Sequence, residues 1–174
     1  MTATVGSQAV AHAEPDVAPS SKRARLAIIA TKGSLDWAYP PLMLSLQAAK
    51  KGWEVAIFFT FYGLDIIHKK KNRRLQIATL GNPAMPMPNL VGAIPGMTAL
   101  ATQMTRRRFR QRNVPPVDEL LRKAIDAGVK VYPCGFSIDV FGYKPEDFVP
   151  GCQPRLGSAD FLDFAKDAAV TLFV

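Results

Sequence analysis

LAIIATKGSLDWAYPPLMLSLQAAKKGWEVAIFF, Leu26 to Phe59, sets two apolar runs on either side of a helix-forming segment. It opens with a short continuous apolar run, Leu26 to Ala30, of the kind buried on both faces of a parallel sheet. Thr31, Lys32, Gly33 and Ser34 read as an exit turn. Asp36 favours a helix start, Pro40 or Pro41 fits a first turn, and Leu42, Leu46 and Ala49 continue at helical spacing until Gly52 ends the helix. Trp53 to Phe59 is aromatic and β-branched, a second strand. Crossovers of this kind are right-handed in nearly all cases, so the two strands are parallel and their exit loops share one edge of the sheet.

Working outward, the same alternation recurs. Leu64 and Ile67, with Asp65 near the start and lysines near the end, suit a short helix, and Leu75 to Leu80 reads as a weaker third strand. Val117, Leu120, Leu121, Ala124 and Ile125 make an amphipathic helix closed by Gly128. Val129 to Pro133 is a strand, Ser158 caps a helix running to about Ala168, and Val170 to Val174 is a final strand. Five strands alternating with helices predict an α/β fold, a doubly wound and mainly parallel sheet with helices on both faces. Ligands of such sheets bind beyond the strand C-terminal ends. That places the Thr31 to Ser34 turn, the Thr60 to Gly63 turn, the Asn82 to Pro88 loop and Cys134 along one edge.

Composition narrows the classes. The 174 residues, 48% hydrophobic, suit one domain with a sizeable core. Two cysteines without CxxC spacing and two isolated histidines form neither a disulfide scaffold nor a recognisable zinc site, and a reducing cytoplasm fits best. Residues 1–23 read as a disordered tail without a secretory signal, and 24–174 as the domain, with a loop and helix inserted at about 81–113. The charge-free run Leu75 to Thr105 resembles a membrane span by hydropathy alone, but four prolines and three glycines would leave its backbone unpaired in lipid. Met97, Leu100, Ala101 and Met104 form a helical stripe, read either as core or as an interaction face.

The net charge of +8 is local. Lys69, Lys70, Lys71, Arg73 and Arg74, with Arg106, Arg107, Arg108, Arg110 and Arg112, hold ten of the 22 basic residues, leaving twelve against fourteen acids. Each cluster is either a solvated helix end or a contact for an acidic protein, anionic lipid or RNA. No recognised nucleic-acid motif accompanies them, and nucleic acid is not an expected partner.

The chemistry-bearing segment is VKVYPCGFSIDVFG, Val129 to Gly142. Pro133 stops the strand, Ser137 is positioned to cap the following turn, and Cys134 falls beside the unpaired amides of a helix start, which favour a thiolate. Asp139 opposes it, since a nearby carboxylate disfavours a second negative charge. Spacing alone leaves Cys134 open between an accessible nucleophile and a packed structural thiol.

Four segments carry a family resemblance: ATKGSLDWAYPPL from Ala30, FFTFYGL from Phe58, LGNPAMPMPNL from Leu80 and CGFSIDVFG from Cys134. Over roughly Ala24 to Val174 the chain resembles the DsrE/DsrF-like sulfur-relay proteins in their longer, DrsE-like subgroup. The resemblance implies a flavodoxin-like fold, commonly oligomeric, and a persulfide-type sulfur carrier or sulfurtransferase in cytoplasmic sulfur trafficking, with Cys134 as the acceptor thiolate. It implies no metal or nucleotide cofactor, a homo-oligomer, and a rhodanese-like donor or a TusA-like carrier as partner. Lys32, Tyr62, Asn82, Ser137 and Asp139 are the expected companions of Cys134, with Lys32 open between supporting the anion and facing solvent. Cys152 matches no cysteine of the family pattern and reads as a free loop thiol. Two alternatives remain: a non-catalytic module docking on protein or membrane through the basic, Met-rich helix, and a phosphorylated small molecule bound at the Thr31 to Ser34 turn.

Overall fold

The computed structural model describes residues 23–79 and 94–174. Four strands form one wholly parallel sheet: β1 (Arg25–Ala30), β2 (Glu54–Phe59), β3 (Lys130–Pro133) and β4 (Val170–Phe173), in the order β3-β2-β1-β4. Ile28 pairs with Ile57, Ile57 with Val131, and Ile28 with Leu172 on the other side. Because side chains alternate across a strand, Leu26, Ile28, Ala30, Val55, Ile57, Phe59 and Val131 enter one core. That core is closed by α1 (Leu35–Lys50) and α4 (Val117–Asp126), which pack on each other as well. The opposite face carries Ala27, Ala56 and Phe58, with α6 (Ser158–Ala165) laid over it. Phe161 of α6 stacks on Phe58 at 4.9 Å between ring centroids. Both faces of the central strands are therefore covered, which is why their sequences run apolar without alternation.

One element differs from the sequence reading and another is decided by the structure. The sheet has four strands where five were expected, because the described part of the third, Leu75 to Thr79, pairs elsewhere. Gln76 O accepts the Leu35 amide at 2.8 Å, while the amides of Ile77 and Ala78 donate to Thr102 Oγ1 and Asp36 Oδ1, each at 3.1 Å. Helix side chains and a helix start thus satisfy the groups that a ladder would have used. In α3 (Met97–Gln111) the Met97 to Met104 stripe is not core: Leu100 and Met104 are exposed, and Thr102 is the buried residue. Thr102 faces inward because its hydroxyl accepts the Ile77 amide and donates to Thr98 O.

Smaller differences concern caps. Pro40 and Pro41 lie in the second turn of α1, Gly157 rather than Ser158 precedes α6, and α6 stops at Ala165. Gly52 and Gly128 do adopt positive φ, 77° and 85°, just past the ends of α1 and α4. At the N-terminal edge of the sheet, Glu54 accepts from Arg25 and Lys130 at 2.7 Å each, tying β1, β2 and β3 together. The tail at 1–22 and the loop at 80–93, including Asn82, lie outside the described residues. No helix among the described residues is long and apolar enough to cross a membrane.

Candidate functional site

The C-terminal edge of the sheet is built from three adjacent exits. Thr31 to Ser34 leaves β1, Phe61–Gly63 forms a single 3-10 turn after β2, and Cys134 follows β3 directly. The first two exits are locked by close backbone approach. A Cβ on Gly33 would stand 2.2 Å from Tyr62 O, and one on Gly63 would stand 2.2 Å from Ala30 O, so neither position has room for a side chain. The third exit joins them through the Cys134 amide, which donates to Phe59 O at 2.9 Å.

Cys134 itself is the N-cap residue of α5 (Gly135–Phe141), a role the sequence reading gave to Ser137. Ser137 sits inside the helix, fully buried, and works as a hub. Its Oγ accepts the Phe61 amide at 2.8 Å and lies 3.0 Å from Thr60 Oγ1. Phe61 is held there with φ at 47°, a left-handed conformation that a bulky residue rarely adopts. Burial pushes the Cys134 thiol up, but hydrogen bonds from the Ser137 hydroxyl and amide, the Thr60 hydroxyl and the Phe136 amide outweigh it. The net effect lowers the thiol below its ordinary 9.0. A sulfur anion is thus favoured at a polar pocket of amides and hydroxyls.

Of the two positions left open for Cys134, the structure takes the packed one. Cys134 is only 3% exposed, packed beside Phe58, Phe161 and Leu156. The cover comes from a strap at Pro154 to Gly157: Leu156 N donates to Pro133 O, and Gly135 N donates to Leu156 O, each at 3.0 Å. The strap also delivers Arg155, which sequence reasoning did not single out. Its guanidinium forks onto Asp139 at 2.6 and 2.9 Å and donates to Gly135 O at 3.3 Å. A Cβ on Gly135 would come within 3.0 Å of Arg155 Nε, so the glycine leaves space for the guanidinium beside the cysteine. Asp139 therefore does not oppose the thiolate as a bare carboxylate. Arg155 holds its carboxyl low, and Asp139 in turn raises Arg155, with a smaller part from Cys134. The one sequence signal for Arg155 was a lone cation in a Pro and Gly bracketed loop, QPRLG.

The remaining expected companions scatter. Tyr62 is exposed, its ring 5.5 Å from that of Phe141. Lys32 places Nζ 3.3 Å above the Trp37 ring, in a cleft of about 970 Å³ that Tyr62 also lines. Cys152 packs against the larger core, and burial pushes its thiol up to about 12, leaving it neutral across the physiological range. Among the described residues no three His, Cys, Asp or Glu side chains converge as metal ligands.

Comparison with known proteins adds an independent result. The model of the DsrE/DsrF/DrsH-like family matches residues 22–173, which takes in every strand and helix described. The sulfur carrier protein DsrE2 of Allochromatium vinosum is 41% identical over 158 residues, covering 86% of this chain and 98% of that protein. An uncharacterized protein of Bacillus subtilis, YrkE, is 23% identical over 155 residues, covering 86% of this chain and 96% of its own. Since the match spans the sheet, both helical layers and the cysteine segment together, the chain belongs to the DsrE/DsrF/DrsH-like family.

Proposed function

We propose that the protein is a persulfide-type sulfur carrier of cytoplasmic sulfur trafficking, with Cys134 as the acceptor thiolate. The observation that carries this reading is the cradle of Thr60, Ser137 and two backbone amides, which favours sulfur as an anion at the end of β3. The similarity to a protein named as a sulfur carrier points the same way. In the exchange, the Cys134 thiolate attacks the terminal sulfur of a donor persulfide, R–S–SH. A new S–S bond forms on Cys134, the donor S–S bond breaks, and R–S⁻ departs as the leaving thiolate. The proton stays with the transferred sulfur and no electrons are gained or lost overall. An acceptor thiolate then repeats the attack and regenerates Cys134.

Because the sulfur is covered, exchange proceeds from a locally opened state of the strap or the Phe61 turn, openings that cost less than global unfolding. Arg155, next to Gly135, supports the negative charge of the Cys134 thiolate. The partner is a rhodanese-like donor or a TusA-like carrier. Self-association fits β4, a sheet edge on which Phe173 is 74% exposed. The test is to incubate the protein with polysulfide and weigh it intact. Wild type gains sulfur and Cys134→Ser does not; equal loading of the two would overturn the assignment.

A second reading has one observation in its favour, the outward-facing Leu100 and Met104 on the arginine-rich α3. As a docking module on protein or anionic membrane, the protein would show salt-sensitive association that survives Cys134→Ser and disappears when the exposed arginines are replaced.

A further inference from the structure

Between the β1 exit and the Cys134 segment, the surface carries two features that persulfide chemistry alone does not require. The first is an exposed apolar collar. Phe61, Tyr62, Phe136 and Val140 stand 48% to 65% exposed, although they belong to the two exits that hold Cys134. They form one surface rather than scattered residues: the Phe61 and Phe136 rings lie 6.1 Å apart, and Tyr62 packs 5.5 Å from Phe141. Folded proteins seldom leave such a contiguous patch uncovered unless something binds it.

The second is the charge of the adjoining cleft, which Tyr62 shares with Lys32, Lys70, Lys71 and Arg74. Its two acids are already engaged. Asp65 accepts from Lys71 and Tyr143, and Asp36 accepts the Ala78 amide. Lys32, Lys70 and Arg74, by contrast, make no ion pair among the described residues. Lys32 also rests on the Trp37 ring, and four cations against two carboxylates leave the cleft with a net charge of about +2. Strands are spaced about 4.8 Å apart, so the β1 exit lies roughly 10 Å from the β3 exit, comparable to the screening length of about 8 Å in physiological salt. Lys32, on the β1 exit, is close enough to steer what arrives at Cys134 while the collar supplies desolvated contact.

We infer that this collar and cleft together form the docking face for the protein that exchanges sulfur with Cys134, and that this partner carries its thiol on an apolar patch flanked by Asp and Glu. The inference rests on the sulfur-carrier reading and names the chemistry of the partner. An apolar centre with a charged rim is the usual anatomy of a transient interface, and rim charges of opposite sign raise association rates by 10-fold or more at low salt.

The experiment loads the protein with sulfur and measures transfer to two synthetic cysteine peptides. Both carry the same apolar residues beside the cysteine; one is flanked by Asp and Glu, the other by Lys. The acidic peptide should accept sulfur at least tenfold faster in low salt, with the difference collapsing at high salt. The triple variant Lys32→Glu, Lys70→Glu, Arg74→Glu should bring it down to the rate of the basic peptide. Val140→Ser, in the collar but outside the cradle, should slow both peptides while leaving transfer to neutral 2-mercaptoethanol unchanged. Equal rates for the two peptides, with transfer to 2-mercaptoethanol intact, would overturn the docking face and spare the carrier reading. Failure to transfer to 2-mercaptoethanol as well would overturn the carrier reading itself. A rise in melting temperature with inorganic phosphate or AMP that is lost in the triple variant would make the cleft a small-anion site and would also overturn the proposal.

Discussion

Replacing Ser137 by Ala removes the hydroxyl on which the whole edge converges. That oxygen accepts the Phe61 amide, meets Thr60 Oγ1, and stabilises the Cys134 anion. A hydrogen bond to a charged group contributes about 1.5–3 kcal/mol, so without this one the thiol should rise. Its thiolate fraction at neutral pH then falls. Alkylation by iodoacetamide across pH is the assay, because the rate is the product of an opening equilibrium, the thiolate fraction and an intrinsic constant. In wild type the midpoint should lie below the ordinary 9.0, and in Ser137→Ala it should move up. Stability changes too. The Phe61 amide loses its partner, costing about 1–3 kcal/mol, readable in urea unfolding. The linkage has a definite sign. A lowered folded-state pKa gives a contribution that is present above the unfolded value, 9.0, and lost as pH falls through the folded one. Wild type should therefore gain stability as pH approaches 9, and the variant should gain less. An unchanged alkylation midpoint in a folded variant would refute the role of the cradle.

Other perturbations separate the remaining contributions. Arg155→Gln removes the cation beside Gly135, and the Cys134 alkylation midpoint should rise with a roughly two- to fivefold loss of rate at neutral pH, whereas no shift would place Arg155 outside the site. Cys152→Ser tests the buried second thiol. Its folded value of about 12 exceeds the ordinary 9.0, so wild type should lose stability as pH climbs between them, up to about 4 kcal/mol, and the variant should not show that loss. Phe161→Ala empties the stack on Phe58 and should cost about 3–5 kcal/mol in chemical denaturation while also speeding alkylation of Cys134, which packs in the same cluster. Glu54→Gln weakens the link across β1, β2 and β3. It should remove the part of the acid transition in which stability is lost as pH falls through a glutamate pKa below 4.5.

Features specified by periodicity and local chemistry were legible from the chain alone. The apolar runs at Leu26 to Ala30 and Trp53 to Phe59, separated by one helical stretch ending at Gly52, were enough to require parallel strands, because chain handedness leaves one way to connect them. Cys134 at a strand end followed by a helix start was legible for the same reason. Leu75 to Thr79 was not, because its residues suit a strand and only the nearness of Asp36 and Thr102 assigns their amides elsewhere. The Met97 to Met104 stripe stayed open between core and surface because helical spacing defines a face without saying which face meets the core, and a buried pair of hydrogen bonds at Thr102 decided it. Ser137 as a hub, Arg155 beside Gly135, and the covering of Cys134 all depend on contacts between segments far apart in the chain. A single sequence fixes which groups can donate, accept or ionise. Folding alone sets which of them meet, and so whether the sulfur is held as an anion, shielded, and approached from a cationic side.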